Sequence, residues 1–178
     1  MVTTGSKVDR IAAVDGPVRF SPAKKASMAR TGLRFTVLIE EPLKVVLPAA
    51  HPLARTRGPV AVAELRSEVW TASAEGTGHH AMVIGTGRAL GGYEPDLRHR
   101  SNDADVQLEL VRSGAAVALL PPLTLPPGDP ALAIRDIAGG GLRRRLVAVT
   151  RDTPPAPALT AFQSEVSAQA RRFGPAAL

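Results

Sequence analysis

Six consecutive apolar residues, Ala115–Leu120, run directly into Pro121-Pro122, and this limits what the chain can fold into more than any other feature. The run is far too short to span a membrane. It has no polar side, so it suits a central strand buried on both faces. The proline doublet closes it, because proline cannot donate to an interior ladder. Such a strand needs cover above and below, and the sequence supplies it. Helical patterns alternate with short strands between Val69 and Leu120: strand Val69–Ala72, helix His79–Leu90, strand Asp96–Arg100 and helix Ala104–Arg112. That alternation predicts an α/β lobe with a mainly parallel sheet.

The rest of the chain is punctuated as clearly. Lys7–Val14 is a short apolar run ended by the turn signal Asp15-Gly16-Pro17, and Phe20–Thr31 is a polar surface loop. Leu33–Ile39 alternates Leu33, Phe35, Val37 and Ile39 against Arg34, Thr36 and Leu38, a strand with its odd-numbered side buried. Leu43–Leu47 is the next strand, and Val60–Leu65 has a helical turn's worth of apolar residues. With four Phe, one Tyr and one Trp in the chain, Trp70 is the one large anchor of its strand. In the helix that follows, Gly85 and Gly87 each cost about 1 kcal/mol relative to Ala, and Gly91-Gly92 stops it.

In the next helix Val106, Leu110 and Val111 form a stripe with Leu108 on its shoulder, and Gly114 ends it. Five prolines make Pro121–Pro130 a loop. Strand Ala131–Ile137 turns through Ala138–Gly141 into strand Leu142–Thr150, and Thr153–Ala158 is a Pro-rich bridge. The last helix, Leu159–Phe173, carries Leu159, Phe162, Val166, Ala170 and Phe173 as a core-facing stripe, with Gly174-Pro175 as its stop.

Composition excludes several function classes. The 178 residues allow one domain or two small lobes. No apolar run reaches membrane-span length, and Met1–Arg10 lacks the apolar stretch of a secretory signal, so a cytoplasmic chain without membrane contact is expected. The absence of Cys removes disulfides, thiolate catalysis and sulfur-ligated metals. The net charge of +6 comes from scattered Lys and Arg. Their one run, Arg143–Arg145, reads as the solvated ends of a strand at a sheet edge. It is accompanied by no recognition helix, zinc-finger spacing or RNA-binding signature. His79 and His80 are adjacent, about 100° apart on a helix, so they do not chelate one ion. They read as a solvated or anion-facing pair at the end of a loop. No G-x-S-x-G elbow and no triad spacing surrounds His51 or His99, and His51 reads as turn structure. No enzyme, metal site or cofactor is expected.

The order of motifs is more specific than any one of them. It runs from Val8-Asp9 to Gly16-Pro17, then through Glu41–Ala54 (EPLKVVLPAAHPLA), Trp70, Glu75-Gly76, Ser101, and Val111–Pro121 with its GAAVALLP ending, to Arg145–Phe173. This order resembles the effector-binding domain of LysR-type transcriptional regulators. The resemblance implies an α/β fold of periplasmic-binding-protein type II, two lobes joined by crossing strands, with lobe II complete and lobe I partial. Residues 1–47 would be the partial lobe I, rejoined by 151–173; residues 48–150 would be lobe II, and 174–178 a tail. Ala116 stands where a second Gly is common, a position that accepts a methyl unless its backbone is restricted to Gly. The family's winged helix-turn-helix, its linker helix and the first two β–α units of lobe I have no counterpart here. A gene remnant, a mis-started or trimmed version and a stand-alone relative all fit that gap.

The resemblance also implies site residues. The loop after the Trp strand contributes Thr71, Ser73, Gly76 and Thr77; the corner after the next strand contributes Ser101 and Asn102; the lobe I turn contributes Gly16, Pro17 and Arg19. Helices starting at His79 and Ala104 would aim unpaired N–H groups at an anion. Capping is an equally simple role for Ser101 or Asp103, of which Asp103 is read as a cap, and Gly76 and Gly78 are equally turn formers. The implied function is reversible binding of a small anionic or polar effector. The chain would be a homo-oligomer and would show no specific DNA binding on its own. The alternative is an oligomerising or interaction fragment without a working ligand site, because part of lobe I is missing and its strand edges would be unpaired.

Overall fold

The computed structural model describes residues 11–14, 32–140 and 143–173. Gly16, Pro17 and Arg19, the loop at 20–31 and the stop at Gly174-Pro175 lie outside the described residues. The strands are β1 (Ile11–Val14), β2 (Leu33–Pro42), β3 (Lys44–Pro48), β4 (Val69–Ala72), β5 (Asp96–Arg100), β6 (Val117–Leu120), β7 (Leu132–Arg135) and β8 (Arg143–Arg151). The helices are α1 (Gly78–Thr86), α2 (Ala104–Arg112) and α3 (Pro157–Arg171). Two compact units emerge: Glu41–Arg144 forms one, and the described residues 11–14, 32–40 and 145–173 form the other.

The larger unit is built on a five-stranded sheet in the order β5-β4-β6-β3-β7. β4 runs parallel to both β5 and β6, and β3 is antiparallel to β6 and β7. β6 lies at the centre with all four residues buried, as its unbroken apolar run predicts. Alternation along the strands sorts the core into two layers. Val45, Leu47, Trp70, Ala72, Val117 and Leu119 pack with Met82 and Val83 of α1. Val46, Ala118 and Leu120 pack with Leu108 and Val111 of α2. The connection β4-α1-β5 steps outward and β5-α2-β6 steps back across β4. Right-handed crossovers in opposite directions place their helices on opposite faces.

Trp70 is fully buried, and its indole N–H donates to the Leu65 carbonyl at 3.4 Å. Helix α1 passes into a π-helical turn, Gly87–Gly91, that ends at left-handed Gly92. Gly87 does more than weaken a helix: a Cβ there would lie 2.4 Å from the Pro95 ring. In α2 the stripe differs from the expected one. Gln107, Leu108 and Val111 are buried, whereas Val106 is exposed. Gln107 tolerates this position because its amide donates to the Ser101 carbonyl at 2.6 Å. Ala116 is buried, and no described residue other than Gly has a positive φ, so its methyl is accepted.

The smaller unit contains a three-stranded sheet in the order β1-β8-β2, with β1 antiparallel to β8. β7 pairs with β3 and not with β8, so the two closing strands belong to different sheets. β8 is central, which corrects the edge reading of Arg143–Arg145. Arg145 pairs with Glu40 at 2.6 Å, and Arg144 is taken up by Glu41. Helix α3 covers the even-numbered side of β2: Val166 and Ala170 pack with Leu38, Ile39, Leu146 and Ala148. Leu38 and Ile39 are both buried, while Leu33 and Val37 are exposed, so the alternation expected from apolarity holds at Ile39 but fails at Leu33, Val37 and Leu38. Phe162 and Phe173 are 56% and 63% exposed, so the α3 stripe is only partly covered.

Candidate functional site

Because β4, β5 and β6 are parallel, the segments leaving their C-terminal ends gather on one rim of the larger unit. In the first segment, residues 73–77, Gly76 adopts φ +82°, a conformation that side chains disfavour. Thr77 caps α1: its hydroxyl accepts from the His80 N–H at 3.2 Å and donates to the Ala74 carbonyl at 2.7 Å. The second segment is cross-tied to the first. The Ser101 N–H donates to the Ala72 carbonyl at 2.9 Å, and the Asn102 Oδ1 accepts from the Ala74 N–H at 2.9 Å. The Ser101 hydroxyl accepts from the Asp103 N–H, and Asp103, as predicted, caps α2 through the Asp105 N–H at 2.8 Å. In the third segment the Leu123 N–H donates to Glu41 at 3.1 Å. Glu41 also receives Arg144, whose Nε lies 2.9 Å from Oε1.

Ser73, Gly76, Thr77, Ser101 and Asn102 are thus brought together on one rim. Thr71 lies just beneath it, fully buried, on the strand side opposite Trp70 and Ala72. Its hydroxyl has no hydrogen-bond partner, nor does the Gln107 Oε1. The two helix starts differ electrostatically. α1 has no acidic residue in its first turn, so the positive end of its dipole is uncompensated. α2 begins with Asp103 and Asp105, which occupy and offset that end. An anion on this rim is favoured at residues 76–79 and repelled at the start of α2.

His79 is the residue that sequence reasoning missed. Expected as solvated or anion-facing, it is 8% exposed. Its Nε2 lies 2.8 Å from the Leu119 carbonyl, and its Nδ1 lies 3.1 Å from the Ser73 N–H and 3.0 Å from the Ser73 hydroxyl. The available signal was position: the second residue of a helix springing from a strand end faces the neighbouring strand ends. His80 remains partly exposed. His51 is turn structure, as predicted, with Nδ1 accepting from the Leu53 N–H. Among the described residues no cluster of three His, Asp or Glu could hold a metal.

The family model of the LysR substrate binding domain matches residues 13–171. Solved structures of similar fold include the regulatory domain of Synechocystis PCC6803 CcmR in complex with 2-PG, with TM-score 0.68 and 17% identity, covering 92% of this chain and 74% of that one. Reduced OxyR from N. meningitidis aligns with TM-score 0.66 and 19% identity over 90% of this chain and 69% of its own. Full-length CbnR in complex with target DNA aligns with TM-score 0.66 and 22% identity. That alignment covers 79% of this chain but spans only 50% of CbnR. No curated protein matches the sequence.

Proposed function

Since the chain belongs to the LysR substrate-binding domain family, and is thereby an effector-binding module of a LysR-type regulator and not an enzyme, we propose that the rim of the larger unit is its effector-contacting wall. Ser73, Gly76, Thr77, Ser101 and Asn102 would form that wall above buried Thr71. Gly16, Pro17 and Arg19 are proposed as further contacts. The ligand is a small anionic or polar metabolite. The uncompensated start of α1 carries this reading: the positive end of its dipole stands beside a glycine turn, on segments already cross-tied by Asn102. We further assign the larger unit as a complete lobe II, its sheet covered on both faces, and the smaller as a partial lobe I with its three-stranded sheet. The protein is proposed to act in the cytoplasm, as a homo-oligomer, with no specific operator binding by these residues alone.

A thermal-shift screen of small carboxylates and phosphates, 2-PG included, tests the assignment. A ligand that stabilises the chain should lose that effect in Asn102→Ala, with little change in the unliganded melting temperature. Stabilisation that survives Asn102→Ala and Gly76→Ala equally would sink it.

A second reading, an interaction module without a working ligand site, is favoured by one observation. Leu33, Val37, Phe162 and Phe173 leave apolar surface exposed on the smaller unit. Concentration-dependent sedimentation with no ligand response in the screen supports that reading, and a monomer that responds to ligand removes it.

A further inference from the structure

The bonds of His79 determine which ring nitrogen carries its proton. Nε2 faces the Leu119 carbonyl at 2.8 Å, a group that can only accept, so Nε2 carries the hydrogen. Nδ1 faces the Ser73 backbone N–H at 3.1 Å, a group that can only donate, so Nδ1 carries none. Two independent partners therefore fix the same neutral tautomer. The Ser73 hydroxyl also lies 3.0 Å from Nδ1, and with no hydrogen on that nitrogen the contact is a bond only when the hydroxyl donates. The Ser73 hydroxyl would share the Nδ1 lone pair with the Ser73 N–H, and a hydroxyl hydrogen given to His79 leaves only oxygen lone pairs for a partner at this partly exposed position.

We propose that His79 is a positioning residue of the effector wall: it ties the end of β4 to the end of β6 and presents Ser73 to the ligand as a hydrogen-bond acceptor. The inference rests on the wall assignment above, and it narrows the ligand class. A plain carboxylate or phosphate oxygen cannot donate to Ser73, so the effector carries a hydroxyl or N–H there, beside the anionic group held at the start of α1. Hydroxy acids fit this description better than their deoxy counterparts.

The test has two arms on the full chain. Two-bond proton–nitrogen correlation of histidine labelled with nitrogen-15 reads the tautomer, with the His79 signals assigned by their loss in His79→Gln. A neutral ring protonated at Nε2 is expected, and a proton on Nδ1 overturns the proposal whatever binds. The second arm titrates matched pairs, lactate with propionate and malate with succinate, against the amide resonances of residues 73–77. The hydroxy member should act at roughly three- to ten-fold lower concentration, the worth of one hydrogen bond. Ser73→Ala and His79→Gln should both abolish that ratio. A merely structural His79 would weaken both members alike and leave the ratio intact, which overturns the positioning role. If no pair moves these amides, the wall assignment and the ligand class fall together, while the tautomer arm still decides the His79 tie.

Discussion

Glu41 offers a perturbation whose size follows from geometry. Its carboxylate and the Arg144 guanidinium are each withdrawn from water, with side-chain exposures of 7% and 13%, and Glu41 also satisfies the Leu123 N–H. Removing one partner of a buried pair leaves the other charge uncompensated, at about 3–5 kcal/mol. The orphaned Leu123 N–H adds about 1 kcal/mol, reduced by its partial exposure. The Arg88–Glu94 pair provides an internal control in the same unit, with exposures of 63% and 60%; such pairs contribute about 0–1 kcal/mol. Urea unfolding followed by Trp70 fluorescence reports on this unit, since Trp70 lies in its core. Glu41→Ala should cost at least 3 kcal/mol and Glu94→Ala at most about 1. Combining Glu41→Ala with Arg144→Met should cost clearly less than the sum of the single changes, because no charge is left buried. Equal costs for Glu41→Ala and Glu94→Ala, or strict additivity in the double variant, would refute the reasoning.

Three further outcomes follow from the core. Trp70→Ala should destabilise the larger unit by about 3–5 kcal/mol, read by circular dichroism because the fluorophore is lost. Gly87→Ala should lower the melting temperature although it raises helix propensity by about 1 kcal/mol, since the added methyl collides with Pro95; a more stable variant would contradict the packing. Burial pushes the Tyr93 phenol up to about 12, and its hydroxyl donates to the Val62 carbonyl at 3.0 Å. The neutral phenol is favoured in the folded state, so this contribution is fully present below pH 10 and lost as pH rises through about 12. Ultraviolet titration showing tyrosinate in the folded chain near pH 10 would exclude it.

What the sequence revealed and what it hid divide along a physical line. β4, β5 and α2 fall on their predicted boundaries because their signals are local: a short apolar run, a polar corner, and an Asp cap with a Gly stop. β6 was legible as a central strand because continuous apolarity demands cover on both faces. Most of the errors concern partners distant in sequence, the exception being Gln107, whose partner Ser101 lies six residues away. Whether Leu38 or Val37 is buried depends on which side of β2 receives α3. Gln107 replaces Val106 in the core because Ser101 offers a carbonyl. Arg144 leaves solvent because Glu41, across the neighbouring strand, awaits it. The site was readable as loops at strand ends. The inward turn of His79 was not, since it depends on Leu119 forty residues away.

The most direct test of the account maps where an effector touches the chain. Amide chemical-shift mapping with any ligand that stabilises the chain should concentrate its changes at residues 73–79 and 101–102, with smaller shifts at Thr71 beneath them. The start of α1 should respond more than the start of α2, whose Asp103 and Asp105 repel an anion. Changes confined to α3 and the exposed side of β2, with residues 73–79 silent, would contradict the central claim.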